Sequence, residues 1–118
     1  MGADIHWSFQ KETVQGWEDI EDHFSGWRNY QLFAWLGLES RNDGSVNSIC
    51  ELRGLPEDIA QDFIEVYGEH SYSWLMSNEI LHVPLPQSAS KIVIEFIEEV
   101  KRLNELHGNV RFVFGFDS

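Results

Sequence analysis

The sequence predicts an α+β fold. We expect a single small domain over residues 1–118, in which a short antiparallel sheet includes the N- and C-terminal strands and packs against three or four helices. Apolar and polar residues alternate at both ends of the chain, and helical periodicity dominates between them. With 118 residues, 42% of them hydrophobic, the chain is large enough to bury one core without disulfides.

Strands are predicted at both termini. The stretch ADIHWSFQ at residues 3–10 alternates strictly, which is typical of a half-buried strand. A turn at residues 13–16 leads to a second strand at 17–20, through a loop longer than the shortest hairpin type. The final stretch, NVRFVFGFDS, alternates as well and has a strongly aromatic face.

Helices are predicted between these strands. In SGWRNYQLFAWLGL, Ser25 or Asn29 can cap a short helix that Gly37 ends. A short helix over 78–81 and a long one over 89–107 follow later in the chain.

The stretch RGLPEDIAQDFIEVYGE also has the marks of a helix. Pro56 suits its first position and Gly68 its end, with Phe63, Ile64 and Tyr67 on the predicted buried stripe.

The stretch HSYSWL at residues 70–75 combines an imidazole, hydroxyls, a phenol and an indole. A pocket wall that both hydrogen-bonds and stacks would use this mixture, with Trp74 as its anchor. The alternative is a structural loop whose hydroxyls satisfy backbone groups while Trp74 and Leu75 enter the core.

The charge balance limits the partners. Eight Lys and Arg against 20 Asp and Glu give a net charge of −12, so we expect no non-specific nucleic-acid binding. An acidic chain can instead imitate nucleic acid or dock on a basic protein, or its charge can serve solubility alone. Cys50 has no partner for an internal disulfide, and no N-terminal apolar stretch resembles a signal peptide or membrane span. The expected location is a reducing cytoplasm, without a membrane partner.

Each terminal strand carries polar side chains on one face, and pairing of the two strands would bring these polar faces side by side. Asp4 and His6 alternate on the first strand, and Arg111 and Asp117 flank Gly115 on the last. If the strands pair, these faces could border a gap that a ligand enters, or they could form a plain solvated face.

The chemistry of metal binding and catalysis is only weakly indicated. Asp4, His6, His70 and Asp117 are residue types that bind divalent metals, but no established ligand spacing accompanies them. No nucleophile elbow or nucleotide-binding loop is present either. We therefore predict no metal, no cofactor and no catalytic residue.

Two arginines precede predicted helix starts. A helix N-terminus beside the guanidinium of Arg28 or Arg53 could hold a phosphate or carboxylate. Salt bridges with the abundant carboxylates are the alternative for each.

The motifs G-A-D-I-H, R-N-Y-x-L-F, R-G-L-P-E-D, H-S-x-S-W-L and F-x-F-D together resemble a family of small, functionally uncharacterised bacteriophage and prophage proteins, over nearly the whole chain. The resemblance implies a phage-encoded accessory protein in the cytoplasm of an infected bacterial host. In that family a Thr or Ser tends to cap the helix after Ser-Trp-Leu, whereas Met76 stands here and Ser77 could take over the cap. The motif positions that become ligand-binding candidates are Asp4, His6, Arg28, Asn29, Tyr30, Arg53, His70, Ser71, Ser73, Trp74 and Asp117.

Three functions fit these observations. The first is a counter-defence protein that binds and sequesters a small nucleotide-like immune signal, with Tyr30, Tyr72 and Trp74 stacking the base. The second is an acidic, DNA-mimicking inhibitor of a host defence protein. The third is a metal-dependent hydrolase. A homo-oligomer that completes the pocket is left open. Sequestration ranks first because the polar motif residues cluster with aromatic ones. The inhibitor would present the carboxylates of Glu95, Glu98, Glu99 and Glu105.

Overall fold

The computed structural model describes residues 2–118, whose strands form one antiparallel sheet. The four strands are β1 (Asp4–Thr13), β2 (Gly16–Ile20), β3 (His70–Met76) and β4 (Arg111–Asp117). They lie in the order β2-β1-β4-β3, and every neighbouring pair is antiparallel. The two terminal strands are therefore neighbours, and the predicted α+β class is confirmed.

The helices lie between the strands along the chain. They are α1 (Tyr30–Leu36), α2 (Ser77–His82), α3 (Lys91–His107) and two 3₁₀ helices, Glu39–Arg41 and Gln61–Tyr67. The long predicted helix at 89–107 starts at Lys91 because Ser90 caps it, with its side chain accepting from the backbone N–H of Val93 at 3.2 Å. Within residues 2–118, no helix is both long and apolar enough to cross a membrane.

The first hairpin is tighter than its sequence indicated. Thr13 pairs with Gly16, so only Val14 and Gln15 form the loop. The Thr13 hydroxyl donates to the Gly16 carbonyl at 2.8 Å and accepts from the Gln15 N–H at 3.2 Å, which satisfies polar groups at the turn.

One face of the sheet forms the core with α3. The register places Phe9 opposite Phe112, and both are fully buried. The Phe96 ring on α3 lies 5.0 Å from that of Phe112 and 6.4 Å from that of Phe9, while Phe112 stacks on Phe114 at 5.0 Å. Burial of each such side chain stabilises the fold by about 1.5–3 kcal/mol, so the aromatic face of β4 holds the helix on the sheet.

The segment predicted as a helix from Pro56 to Gly68 is different in the structure. Only Gln61–Tyr67 is helical, as a 3₁₀ helix, and Tyr67 is its one buried residue. Phe63, predicted to be buried, is 60% exposed. The segment packs on the second face of the sheet, where the Tyr67 hydroxyl lies 2.7 Å from that of Ser8.

The stretch HSYSWL is not a loop but lies within β3, at an edge of the sheet. Leu75 enters the core, as the structural alternative expected, whereas Trp74 lies on the other face, opposite Val113. The register shifts between His70 and Ser73, and Ser71 adopts a left-handed backbone with φ of 59°. This irregularity hides the alternation that would have predicted a strand.

Candidate functional site

Strand pairing gathers several predicted site residues at one end of the sheet. Asp4 lies opposite Asp117 across β1 and β4, and His70 lies opposite Phe116 across β3 and β4. We call this set the sheet-end cluster and define it as Asp4, His6, Arg28, His70, Ser71, Asp117 and Ser118.

His6 and Asp117 form a hydrogen-bonded pair within the cluster. His6 Nε2 lies 2.5 Å from Asp117 Oδ2, and the two side chains are 39% and 33% exposed. A carboxylate on one ring nitrogen orients the imidazole and fixes which nitrogen faces solvent. The pair can therefore offer a hydrogen-bonding group to a ligand without further rearrangement.

Arg28 joins the cluster through Asp4. Its Nε and Nη2 atoms donate to Asp4 at 3.1–3.2 Å, and the two side chains are 48% and 53% exposed. The hydrogen bond to Asp4 raises the pKa of the guanidinium above its ordinary value. Since both partners are exposed, water screens their attraction and the pair can open toward a competing anion.

His70 binds a hydroxyl at each ring nitrogen. Its Nδ1 lies 2.9 Å from Ser71 Oγ and its Nε2 lies 3.0 Å from Ser118 Oγ. The left-handed backbone of Ser71 is costly for a residue with a Cβ, by about 1–3 kcal/mol. Strained residues of this kind concentrate at functional sites, because the strain fixes a side chain where it is used.

Asn29 and Tyr30 lie beside the cluster and serve the fold. Asn29 caps α1, with its side chain accepting from the Leu32 N–H at 2.9 Å, as one of the two predicted caps. The Tyr30 hydroxyl accepts from the Ala3 N–H at 3.4 Å, which ties α1 to the start of β1.

Asn29→Ala is expected to lower the free energy of unfolding by about 1 kcal/mol, because it removes the N-cap of α1. Urea denaturation followed by circular dichroism measures the change. Asn29→Ser keeps a cap acceptor and is expected to retain most of the stability. Equal stability of Asn29→Ala and the wild type would show that this cap does not stabilise the helix.

The gap predicted beside Gly115 is closed. The polar faces of β1 and β4 do merge, since His6 lies opposite Gly115. A Cβ built on Gly115 would lie 2.0 Å from the Tyr67 carbonyl oxygen and 2.6 Å from the Tyr72 ring. The space beside Gly115 is thus filled by Tyr67 and Tyr72. The expectation that a ligand enters there is wrong.

Arg53, Ser73 and Trp74 form a second group, farther along β3. The Arg53 guanidinium donates to both carboxylate oxygens of Glu79, at 2.8 and 2.5 Å, and lies 4.5 Å above the Trp74 ring. The buried Ser73 hydroxyl accepts from the Arg53 N–H at 2.9 Å. The hydrogen bond from Arg53 lowers the pKa of Glu79. This salt bridge is the alternative that the sequence left open for Arg53.

Glu79 also caps the start of α2. Its carboxylate accepts from the Met76 N–H at 3.0 Å, and Met76 is the N-cap residue. Ser77 does not take over the cap. Its buried hydroxyl instead accepts from the Val110 N–H at 2.9 Å and contacts Asn104 and Asn109.

The three predicted stacking residues have different surroundings. Arg53 covers Trp74, Arg41 lies 4.8 Å above the Tyr30 ring, and Tyr72 packs beside Gly115. Their contacts do not bring the three rings onto one stacking platform.

The predicted acidic face of α3 is interrupted. Glu95, Glu98 and Glu105 are exposed, but Glu99 is buried. Burial acts to raise the pKa of Glu99, yet hydrogen bonds from Arg102 and the His23 N–H outweigh it and lower the pKa. Glu99 therefore anchors a loop and is not part of a DNA-like surface.

Within residues 2–118, no group of three or more His, Cys, Asp or Glu side chains converges so as to hold a metal ion. The hydrolase hypothesis thus has no ligand set in this part of the chain.

Sequence reasoning missed Ser118 and Glu79. Ser118 reaches His70 only because β3 pairs with β4, and no sequence signal reports that pairing. Glu79 was detectable, since a carboxylate three residues after a helix cap is a capping-box signature.

Comparison of the chain with models of protein families, with curated proteins and with solved structures finds no match in any of the three.

Proposed function

We propose that this chain is a phage-encoded counter-defence protein that binds and sequesters a small nucleotide-like immune signal in the cytoplasm of an infected bacterial host. The phage origin is supported by the motif resemblance. The binding role is supported by one observation above the others: strand pairing brings motif residues that are distant in sequence, Asp4, His6, His70 and Asp117, to one end of the sheet.

The cluster offers the donors that a nucleotide needs. The imidazoles of His6 and His70 and the hydroxyls of Ser71 and Ser118 can bind ribose or base edges. The Arg28 guanidinium can exchange the exposed Asp4 for a phosphate, which it would bind with the same planar fork.

Arg28 is a better phosphate ligand than Arg53. The Arg53–Glu79 pair is less exposed, and both partners also bind backbone, Arg53 to the Trp74 carbonyl and Glu79 to the Met76 N–H. Opening that pair would leave more groups unsatisfied than opening Arg28–Asp4.

The net charge of −12 narrows the ligand class. A strongly acidic chain repels anions, so each additional phosphate charge opposes binding. We therefore expect phosphodiester-linked or cyclic nucleotides, with one charge per phosphate, rather than triphosphates.

The test is retention of a ligand from a defined panel. The purified protein is incubated with cyclic mononucleotides, cyclic dinucleotides and NAD-derived nucleotides, then desalted and denatured, and the released compound is identified by mass spectrometry. We expect one compound to be retained intact. We expect Arg28→Ala to reduce its retention at least about tenfold, as loss of one charged hydrogen bond predicts, and His70→Ala to reduce it at least about threefold, as loss of an ordinary hydrogen bond predicts.

Arg53→Ala is the matched control, because it removes a guanidinium outside the cluster and is expected to leave retention within about twofold. Recovery of a converted product would replace sequestration with catalysis. Retention that depends on Arg53 and not on Arg28 would place the binding site at the group of Arg53, Ser73 and Trp74 instead. If no compound of the panel is retained, the proposal is overturned for these ligands.

A further inference from the structure

A second surface lies away from the sheet-end cluster, on the face of the sheet that carries His6 and Ser8. It is a cleft of about 350 Å³ between β2 and the 3₁₀ helix Gln61–Tyr67. The side chains that matter here are Trp17, Asp19, Asp58, Phe63, Val66 and Tyr67. Gln10 lines the cleft and pairs with Arg111 across β1 and β4. This pair lies six residues along the strands from Asp4 and Asp117, or about 20 Å at 3.3 Å per residue.

Arg111 ties together three of the residues that line this cleft, Gln10, Trp17 and Asp58. Arg111 is only 5% exposed, and its guanidinium lies 4.2 Å above the Trp17 ring. It donates to both oxygens of Asp58 at 2.9 and 2.7 Å and to Gln10 at 2.9 and 2.7 Å. The hydrogen bond from Arg111 lowers the pKa of Asp58. These contacts fix the positions of Gln10, Trp17 and Asp58 relative to one another.

Its rim carries apolar side chains that the fold leaves in water. Phe63 and Val66 are 60% and 55% exposed. A 3₁₀ helix has three residues per turn, so these two side chains lie in line on one side of it. Single exposed apolar residues are ordinary, but two in line beside a half-buried Trp17 form a patch that a partner can cover.

The surroundings of the patch are acidic. Asp19 and Asp58 line the cleft, and Glu57, Asp62 and Glu65 are exposed on the same segment. Residues 57–67 contain no Lys or Arg, and Arg111 is already paired with Asp58. A second copy of this chain would bring like charges together, whereas a cationic partner would neutralise them.

We infer that this cleft is a docking site for a cationic amphipathic segment of a partner protein, whose apolar side chains cover Phe63 and Val66 while its Lys or Arg side chains meet the acidic rim. The inference does not depend on the proposed ligand, because none of its residues belongs to the sheet-end cluster.

The test uses two fluorescently labelled peptides of Leu and Lys, one with a helical repeat and one with strict alternation, each against a scrambled peptide of the same composition. We expect anisotropy titrations to show that at least one patterned peptide binds at least about tenfold tighter than its scrambled form. The double variant Phe63→Ser/Val66→Ser is expected to remove that preference. Both changes are at exposed positions, so the fold is expected to persist.

Leu106→Ser is the matched control, since Leu106 is 63% exposed on α3 and does not line the cleft. It is expected to leave peptide binding unchanged. Equal binding of patterned and scrambled peptides, or binding that is insensitive to Phe63→Ser/Val66→Ser, would overturn the inference. Sedimentation of the wild type as a dimer that this double variant abolishes would assign the cleft to a second copy instead.

Discussion

Gly115→Ala is expected to lower the free energy of unfolding by about 3 kcal/mol, the upper part of the range for overpacking. The added methyl group would lie 2.0 Å from the Tyr67 carbonyl oxygen, which is backbone and cannot turn aside as a side chain can. The substitution has to push the 3₁₀ helix off the sheet or bend β4, a central strand. Chemical denaturation measures the loss.

Gly44→Ala is the control for this prediction. Nothing lies within 4 Å of a Cβ built on Gly44, but its φ is +96°, so only backbone strain is added. We expect a loss of about 1 kcal/mol there. If the two variants are equally stable, the close approach of Tyr67 to Gly115 is not what the glycine provides.

Phe112→Ala is expected to lower the free energy of unfolding by about 4 kcal/mol, because it leaves a cavity where aromatic rings meet. Phe112 is fully buried, and its ring contacts those of Phe9, Phe96 and Phe114. The cavity would weaken the packing of α3 on the sheet, so we expect a large fall in thermal stability as well.

Phe63→Ala makes the same chemical change at an exposed position and is expected to alter stability by no more than about 0.5 kcal/mol. A loss at Phe63 comparable with that at Phe112 would mean that Phe63 belongs to the core, which would contradict the docking surface as well.

The parts of the fold that follow one periodicity were predictable. The seam of α3 and the alternation of β1 and β4 place their apolar side chains in one core, as the sequence indicated. Asn29 was one of two caps that the sequence offered for α1, and the structure selects it.

Two segments escaped prediction for physical reasons. In β3, a polar residue, Ser73, occupies a buried position, where its hydroxyl accepts a hydrogen bond from the Arg53 N–H. The left-handed backbone of Ser71 also breaks the alternation of polar and apolar residues. In the segment after Pro56, helical spacing matched, but the chain forms a 3₁₀ helix in which only Tyr67 is buried and Phe63 is exposed. Both outcomes depend on contacts between distant parts of the chain.

The sequence selected candidate residues for the site but not their places in the fold. Motifs selected Arg28 and Arg53 alike, while only strand pairing and hydrogen bonding separate the exposed Arg28–Asp4 pair from the anchored Arg53–Glu79 pair. The gap expected beside Gly115 failed because another segment fills it.

The most direct test of the central claim, that the sheet-end cluster binds a nucleotide-like ligand, is to record the imidazole nitrogen NMR signals of the wild-type protein during titration with each nucleotide of the panel. His6 and His70 belong to the cluster, while His23, His82 and His107 are internal controls outside it. The account predicts that one nucleotide shifts the His6 and His70 signals and leaves the other three unchanged. Shifts confined to the three control histidines, or none at any histidine with every nucleotide, would contradict it.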